Sequence, residues 1–165
     1  MVANGMPLMV AKSGLHPKKV LMFIWWDWKS INYYEMLPQG EINSVKYCSQ
    51  LDKLKETIAI KRSELTNRRG VVFQPGPMSS TVRNKLLSFD WDVLPHYPYS
   101  PDIAPCDYYL FLSLKNSLRG KKFNTINDLK MHLERYFVSK PQKFWKDGII
   151  RLPERWRKVI EQNGS

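Results

Sequence analysis

The chain opens its first clear pattern at Val20-Leu21-Met22-Phe23-Ile24-Trp25-Trp26, a continuous apolar run that stops at Asp27 and Lys29. The run is strand-sized, and apolar residues at every position predict a strand buried on both faces. Ser30 to Leu37 follows after a tight polar turn with strand-like residues, so the two segments predict a hairpin, which Pro38-Gln39-Gly40 stops. Asn43 then offers an N-cap, and Tyr47, Cys48, Leu51, Leu54 and Ile58 recur at three- and four-residue spacing. That periodicity predicts an amphipathic helix over roughly 43–65. Val71-Val72-Phe73 reads as a short buried strand, and Gln74-Pro75-Gly76-Pro77 breaks it. Ser79 or Ser80 caps a helix to about Phe89, and Trp91-Asp92-Val93-Leu94 is another short strand. Pro95 to Pro105 is a proline-punctuated loop, with Pro105 suited to the first turn of a helix that Gly120 ends. Asn124 or Thr125 caps a helix to about Val138, and two short helices follow near 141–148 and 152–162. Strands first and helices later, with one helix between strands, predict an α/β layer architecture. Residues 1–15 show no period and read as a loose N-terminal arm, leaving 16–165 as one domain.

Composition narrows the class. Of the 165 residues, 43% are apolar and 13% aromatic, too many for a disordered basic tail. No run approaches the ~20 apolar residues of a membrane span, and residues 1–15 lack the apolar centre of a signal peptide. Cys48 and Cys106 make neither a disulfide framework nor a zinc site and are expected as reduced, partly buried thiols. Lys and Arg number 26 against 15 Asp and Glu, a net charge of +11, and most of the excess lies after Leu110. A basic C-terminal third suggests a polyanionic partner, most simply nucleic acid, although a lysine-rich solvated surface gives the same count.

Several segments in order resemble the catalytic domain of mariner-type DNA transposases. They are Leu15-His16-Pro17-Lys18-Lys19 leading into Trp25-Trp26-Asp27, Arg69-Gly70-Val71-Val72-Phe73, and Trp91-Asp92-Val93-Leu94-Pro95-His96. Tyr99-Ser100-Pro101-Asp102-Ile103-Ala104-Pro105-Cys106-Asp107-Tyr108-Tyr109-Leu110-Phe111, and Leu152-Pro153-Glu154-Arg155-Trp156 with Glu161-Gln162-Asn163-Gly164, complete the set. The family includes the transposase half of a SET-domain–mariner fusion, but no SET-domain sequence is present here. The resemblance implies a ribonuclease-H-like mixed sheet with helices on both faces. It also implies DNA cleavage and strand transfer by two Mg²⁺ or Mn²⁺ ions on three carboxylates. A cation pair must activate one oxygen and stabilise another, and hard ions require oxygen ligands.

The family pattern then exposes what is missing. Its first acidic residue lies on a central strand that has no counterpart in this sequence. The sheet is therefore expected to lack that strand, leaving the edges of Val20–Trp26 and Val71–Phe73 open, with Pro7-Leu8-Met9-Val10 as a short partial filler. Asp27 reads as a strand-end turn residue. The second acidic residue should follow Val-Val-Phe, where this chain has Gln74-Pro75-Gly76-Pro77. The third matches Asp107, an orphan catalytic and metal-ligating position that equally serves as a favourable charge at a helix N-terminus. Asp102 reads as a turn residue, and His16, His96 and His132 share no metal-ligand spacing. No bound metal is expected. Arg119, Lys121 and Lys122 in a loop, with Arg155, Arg157 and Lys158, are candidates for weak, non-specific DNA contacts. Trp145 and Trp156 offer base stacking but fit helix packing better.

The expected protein is thus a truncated, degenerate transposase domain without cleavage activity. It is expected to be nuclear, or cytoplasmic if not imported, and not secreted; it is expected to be monomeric, because most of the family's dimer arm has no match. A non-enzymatic protein or chromatin interaction module, or a translated relic, is the alternative.

Overall fold

In the computed structural model, residues 2–4, 8–11, 19–38, 40–41, 43–66, 70–75, 78–95 and 103–162 are described. The predicted hairpin is the spine of the sheet. Strand β3 (Lys19–Trp26) pairs antiparallel with β4 (Ile31–Pro38), from Val20 opposite Pro38 to Trp26 opposite Ile31. Asn32 is an extra residue on β4 between Tyr33, which faces Trp25, and Ile31, which faces Trp26. This bulge lets Ile31 and Tyr34, three apart, pack on one face of the sheet while Tyr33 packs on the other.

The expected central gap is filled. Strand β1 (Val2–Asn4) lies between β3 and β5 (Val72–Gln74), antiparallel to the first and parallel to the second. Strand β2 (Leu8–Ala11) continues along the same edge of β3, with Leu8 opposite Met22 and Ala11 opposite Lys19. Residues expected as a loose arm therefore supply paired strands. The reason is physical: two exposed edges of buried strands leave rows of unpaired backbone groups, and even a weakly patterned segment is stabilised by pairing them. Strand β6 (Asp92–Val93) adds parallel to β5, giving the spatial order β4, β3, β1 with β2, β5, β6.

Helices cover both faces. On one, α1 (Ser44–Lys61) and α3 (Ser80–Leu87) pack Leu51, Leu54, Ile58, Val82 and Leu86 against Phe23, Trp25 and Phe73. Asn43 and Ser79 cap these helices through side chains that accept from Lys46 N and Val82 N. The helix predicted over 43–65 breaks at Arg62, after which Ser63–Thr66 forms a single turn, α2. On the other face lie a π-helical segment, Cys106–Phe111, its continuation α4 (Leu112–Leu118), then α5 (Ile126–Ser139) and α6 (Gln142–Ile150). They bury Leu110, Leu114, Leu133 and Trp145 against Met22, Ile24 and Trp26. Thr125 and Asp128 form a reciprocal capping box at the start of α5. Helix α7 (Leu152–Glu161) closes the chain with Pro153 in its first turn. No helix among the described residues is long and apolar enough to cross a membrane.

Candidate functional site

In open sheets with parallel strands, ligands meet the chain beyond the carboxyl ends of those strands. Here β1 and β5 run side by side, Val2 opposite Phe73 and Ala3 opposite Gln74, so Asn4 and Gln74 stand at that end. Gln74 is buried. Its Nε2 donates to the Ile103 carbonyl at 3.1 Å, which ties the strand to the turn leading into the π-helical segment. Its Oε1 is buried without a hydrogen-bond partner.

Asp107 sits in the first turn of the π-helical segment, half-buried, its backbone N–H donating to Ala104 O at 2.9 Å. Wide π turns inside helices gather at functional sites, and this one carries the aspartate that the family resemblance proposes as a metal ligand. Its neighbours are firmly held. Trp26 Nε1 donates to Cys106 Sγ at 3.0 Å, and burial pushes the Cys106 thiol pKa well up. Tyr108 donates its hydroxyl to Gly148 O at 2.8 Å, and burial pushes its pKa up to about 12. Arg155 stacks its guanidinium 4.0 Å from the Tyr108 ring centre, and Arg151 lies 5.7 Å from that of Tyr109.

Carboxylates are scarce on the strands that end here. No Asp or Glu precedes Asp27 in the sequence, and none lies between Glu64 and Asp90. Strands β1, β2 and β5, and the connection from β5 to α3, therefore carry no carboxylate. Among the described residues no group of three His, Cys, Asp or Glu side chains is placed to hold a metal ion. A pair of hard divalent ions needs several anionic oxygens to offset its charge. The Gln74 amide, neutral and already donating to a backbone carbonyl, does not fit that requirement.

Asp27 is elsewhere, at the end of β3, and is fully buried. It accepts from Lys29 N at 2.8 Å and Ser30 N at 3.1 Å, the turn role its position predicts. It also accepts from Asn32 Nδ2 at 3.2 Å and pairs with Arg62 Nε at 2.8 Å, a partnership nothing in the spacing signalled. Asp102, His16 and His96 lie outside the described residues. His132 is half-buried beside the Phe123 ring and joins no metal-holding group among the described residues.

The basic candidates fall into two groups. Arg119, Lys121 and Lys122 are exposed around Gly120, whose φ of +73° makes the sharp exit from α4. They stand at the far end of the helix that Asp107 begins, ~18 Å away at 1.5 Å per residue. On α7, Arg157 and Lys158 are exposed, and Lys158 pairs with Glu154 at 2.8 Å. Arg155 is half-buried by its stacking on Tyr108. Trp145 is core, as its packing alternative predicts.

A five-position mixed sheet with a central strand antiparallel to a hairpin and parallel to two further strands, covered by helices on both faces, is the ribonuclease-H-like class. Sequence comparison fixes the family. The profile of "Transposase (partial DDE domain)" matches residues 3–68. The Mariner Mos1 transposase of Drosophila mauritiana is 38% identical over 90% of this chain, and human histone-lysine N-methyltransferase SETMAR 36% identical over 92%. The Mos1 transposase catalytic domain, solved with raltegravir and Mn, superposes with a TM-score of 0.91 at 34% identity, over 99% of this chain and 82% of that one. The chain belongs to the mariner-type transposase family and has the fold of its catalytic domain. It spans less than half the length of these two relatives, 45% of Mos1 transposase and 23% of SETMAR.

Proposed function

We propose that this chain is a transposase-family domain that holds DNA without cutting it. The observation that carries the reading is the absence of Asp and Glu from β1 and β5, with Gln74 at the end of β5 committed to Ile103 and Asp107 as the one carboxylate the resemblance matches. Mos1 transposase is solved as a paired-end complex with a left transposon end, and its catalytic domain is solved with Mn and with Mg. DNA as the partner follows from that relationship and from the +11 charge. Metal-dependent cleavage does not follow, because the ligands it needs are not on these strands.

Phosphate contacts by surface Lys and Arg give affinity without sequence preference and weaken steeply with salt. The test is a gel-shift titration across salt, run with and without EDTA, beside a supercoiled-plasmid nicking assay in Mn²⁺. Binding is expected to be EDTA-insensitive, and replacing Arg119, Lys121 and Lys122 together by Ala should lower the slope of log K against log salt by about 2–3. Nicking is expected at background. Robust nicking lost in Asp107→Ala overturns the proposal, and so does the absence of binding at low salt.

A further inference from the structure

Beside the sheet, a cleft of about 510 Å³ whose lining does not include Asp107 opens along the free edge of β4. Its floor is Ile31 to Tyr34, one wall is Thr57 and Lys61 of α1, and the other is Glu134, Phe137 and Val138 of α5. Among the described residues β4 pairs with β3 alone, so alternate N–H and C=O groups on its other side face outward. One such group is already engaged: Lys61 Nζ donates to the Asn32 carbonyl at 3.3 Å. A lysine bent over a strand edge is a common guard against uncontrolled pairing. Val138 is 86% exposed at the rim, and Phe137 and Ile31 are half-covered.

We propose that this cleft binds an extended peptide as an additional strand on β4. Main-chain hydrogen bonds to the free edge supply affinity, and the two walls read alternate side chains. The walls differ in charge. The α1 wall carries the Lys61 ammonium and selects an acidic residue, which draws Lys61 off the Asn32 carbonyl. The α5 wall offers Phe137 and Val138 for apolar residues and the Glu134 carboxylate, which accepts from Tyr34 Oη at 3.1 Å and selects a basic residue between them. The occupant is therefore a strand with polar and acidic residues on one face and apolar residues flanking a base on the other.

Two peptides of identical composition test this: acetyl-Thr-Val-Asp-Lys-Thr-Val-amide, and the same sequence with Asp and Lys exchanged. Equal net charge removes general attraction to a basic protein. A one-residue slip restores the charge match of the exchanged peptide only by turning both valines away from Phe137 and Val138. By fluorescence anisotropy of the two peptides, each carrying a fluorophore in place of the acetyl group and titrated with the full chain, the first is expected to bind at least about tenfold more tightly than the second. N-methylation of alternate backbone nitrogens on the edge-facing side should abolish binding. In the Lys61→Glu/Glu134→Lys variant, checked for an unchanged circular-dichroism spectrum, the preference should reverse. No binding of the first peptide up to about 1 mM overturns the proposal, as does equal binding of the two to the unaltered protein. That comparison needs no variant to fold.

Discussion

Replacing Arg62 by Met isolates the buried charge pair that ties the hairpin turn to the end of α1. Asp27 is fully buried, and its carboxylate accepts from Arg62 Nε at 2.8 Å, Arg62 Nη2 at 3.3 Å, two backbone N–H groups and Asn32 Nδ2. Arg62 also donates to Ser30 Oγ at 2.8 Å and to the Lys61 carbonyl at 3.0 Å. Removing one partner of a buried pair strands the other charge in low dielectric and costs about 3–5 kcal/mol. That is a large share of the roughly 5–15 kcal/mol by which a domain is stable. Asp27→Asn/Arg62→Met, which removes both charges and keeps the turn acceptor, should lose less than Arg62→Met alone. The pH dependence has a definite sign. Burial alone raises the Asp27 pKa, but the Arg62 side chain and the N–H groups of Lys29 and Ser30 outweigh it, so the folded value lies below the ordinary 3.8. The folded chain thus binds that proton less readily than the unfolded chain. Its contribution is complete above pH 3.8 and disappears as pH falls through the lowered folded value. Urea unfolding followed by tryptophan fluorescence at pH 7 and in steps down to pH 3 provides the assay. The gap between the wild-type chain and Asp27→Asn should shrink in the acid steps. A cost for Arg62→Met below about 1 kcal/mol, the scale of an exposed pair, refutes the reasoning.

Two further results are expected. A Cβ on Gly148 of α6 would lie 2.6 Å from both Trp26 Cη2 and Tyr109 Cδ1, so Gly148→Ala overpacks the second core layer. It should cost about 1–3 kcal/mol, read as a lower urea midpoint at constant slope. In thiol titration with an aromatic disulfide reagent, Cys48, half-buried on α1, should react readily in the native state. Cys106, fully buried and bonded by Trp26, should react only after unfolding; equal rates for both thiols would contradict its burial.

The hairpin, its caps and most helices are legible because each rests on local signals. The apolar run 20–26 and the caps at Asn43, Ser79 and Thr125 need no knowledge of distant chain. The central strand is not legible, because Val2-Ala3-Asn4 carries no alternation and its position depends on edges supplied by β3 and β5. The same holds for Arg62. Its place near a helix C-terminus predicts a dipole contact, but its partner, Asp27, is 35 residues away across a fold not yet formed. At the candidate site the place of Asp107 in a first helical turn is readable from Pro105 before it, whereas the Gln74 tie to Ile103 is not. A glutamine before a Pro-Gly-Pro break signals only the end of a strand until the turn at 103 is brought beside it.

Calorimetric titration of the apo chain with Mn²⁺ addresses the carboxylate deficit most directly, without DNA or turnover. With neutral amides ending β1 and β5, no saturable uptake of two ions per chain is expected below about 1 mM. Two ions bound per chain in that range, and lost in Asp107→Ala, would show that the ligands are assembled after all.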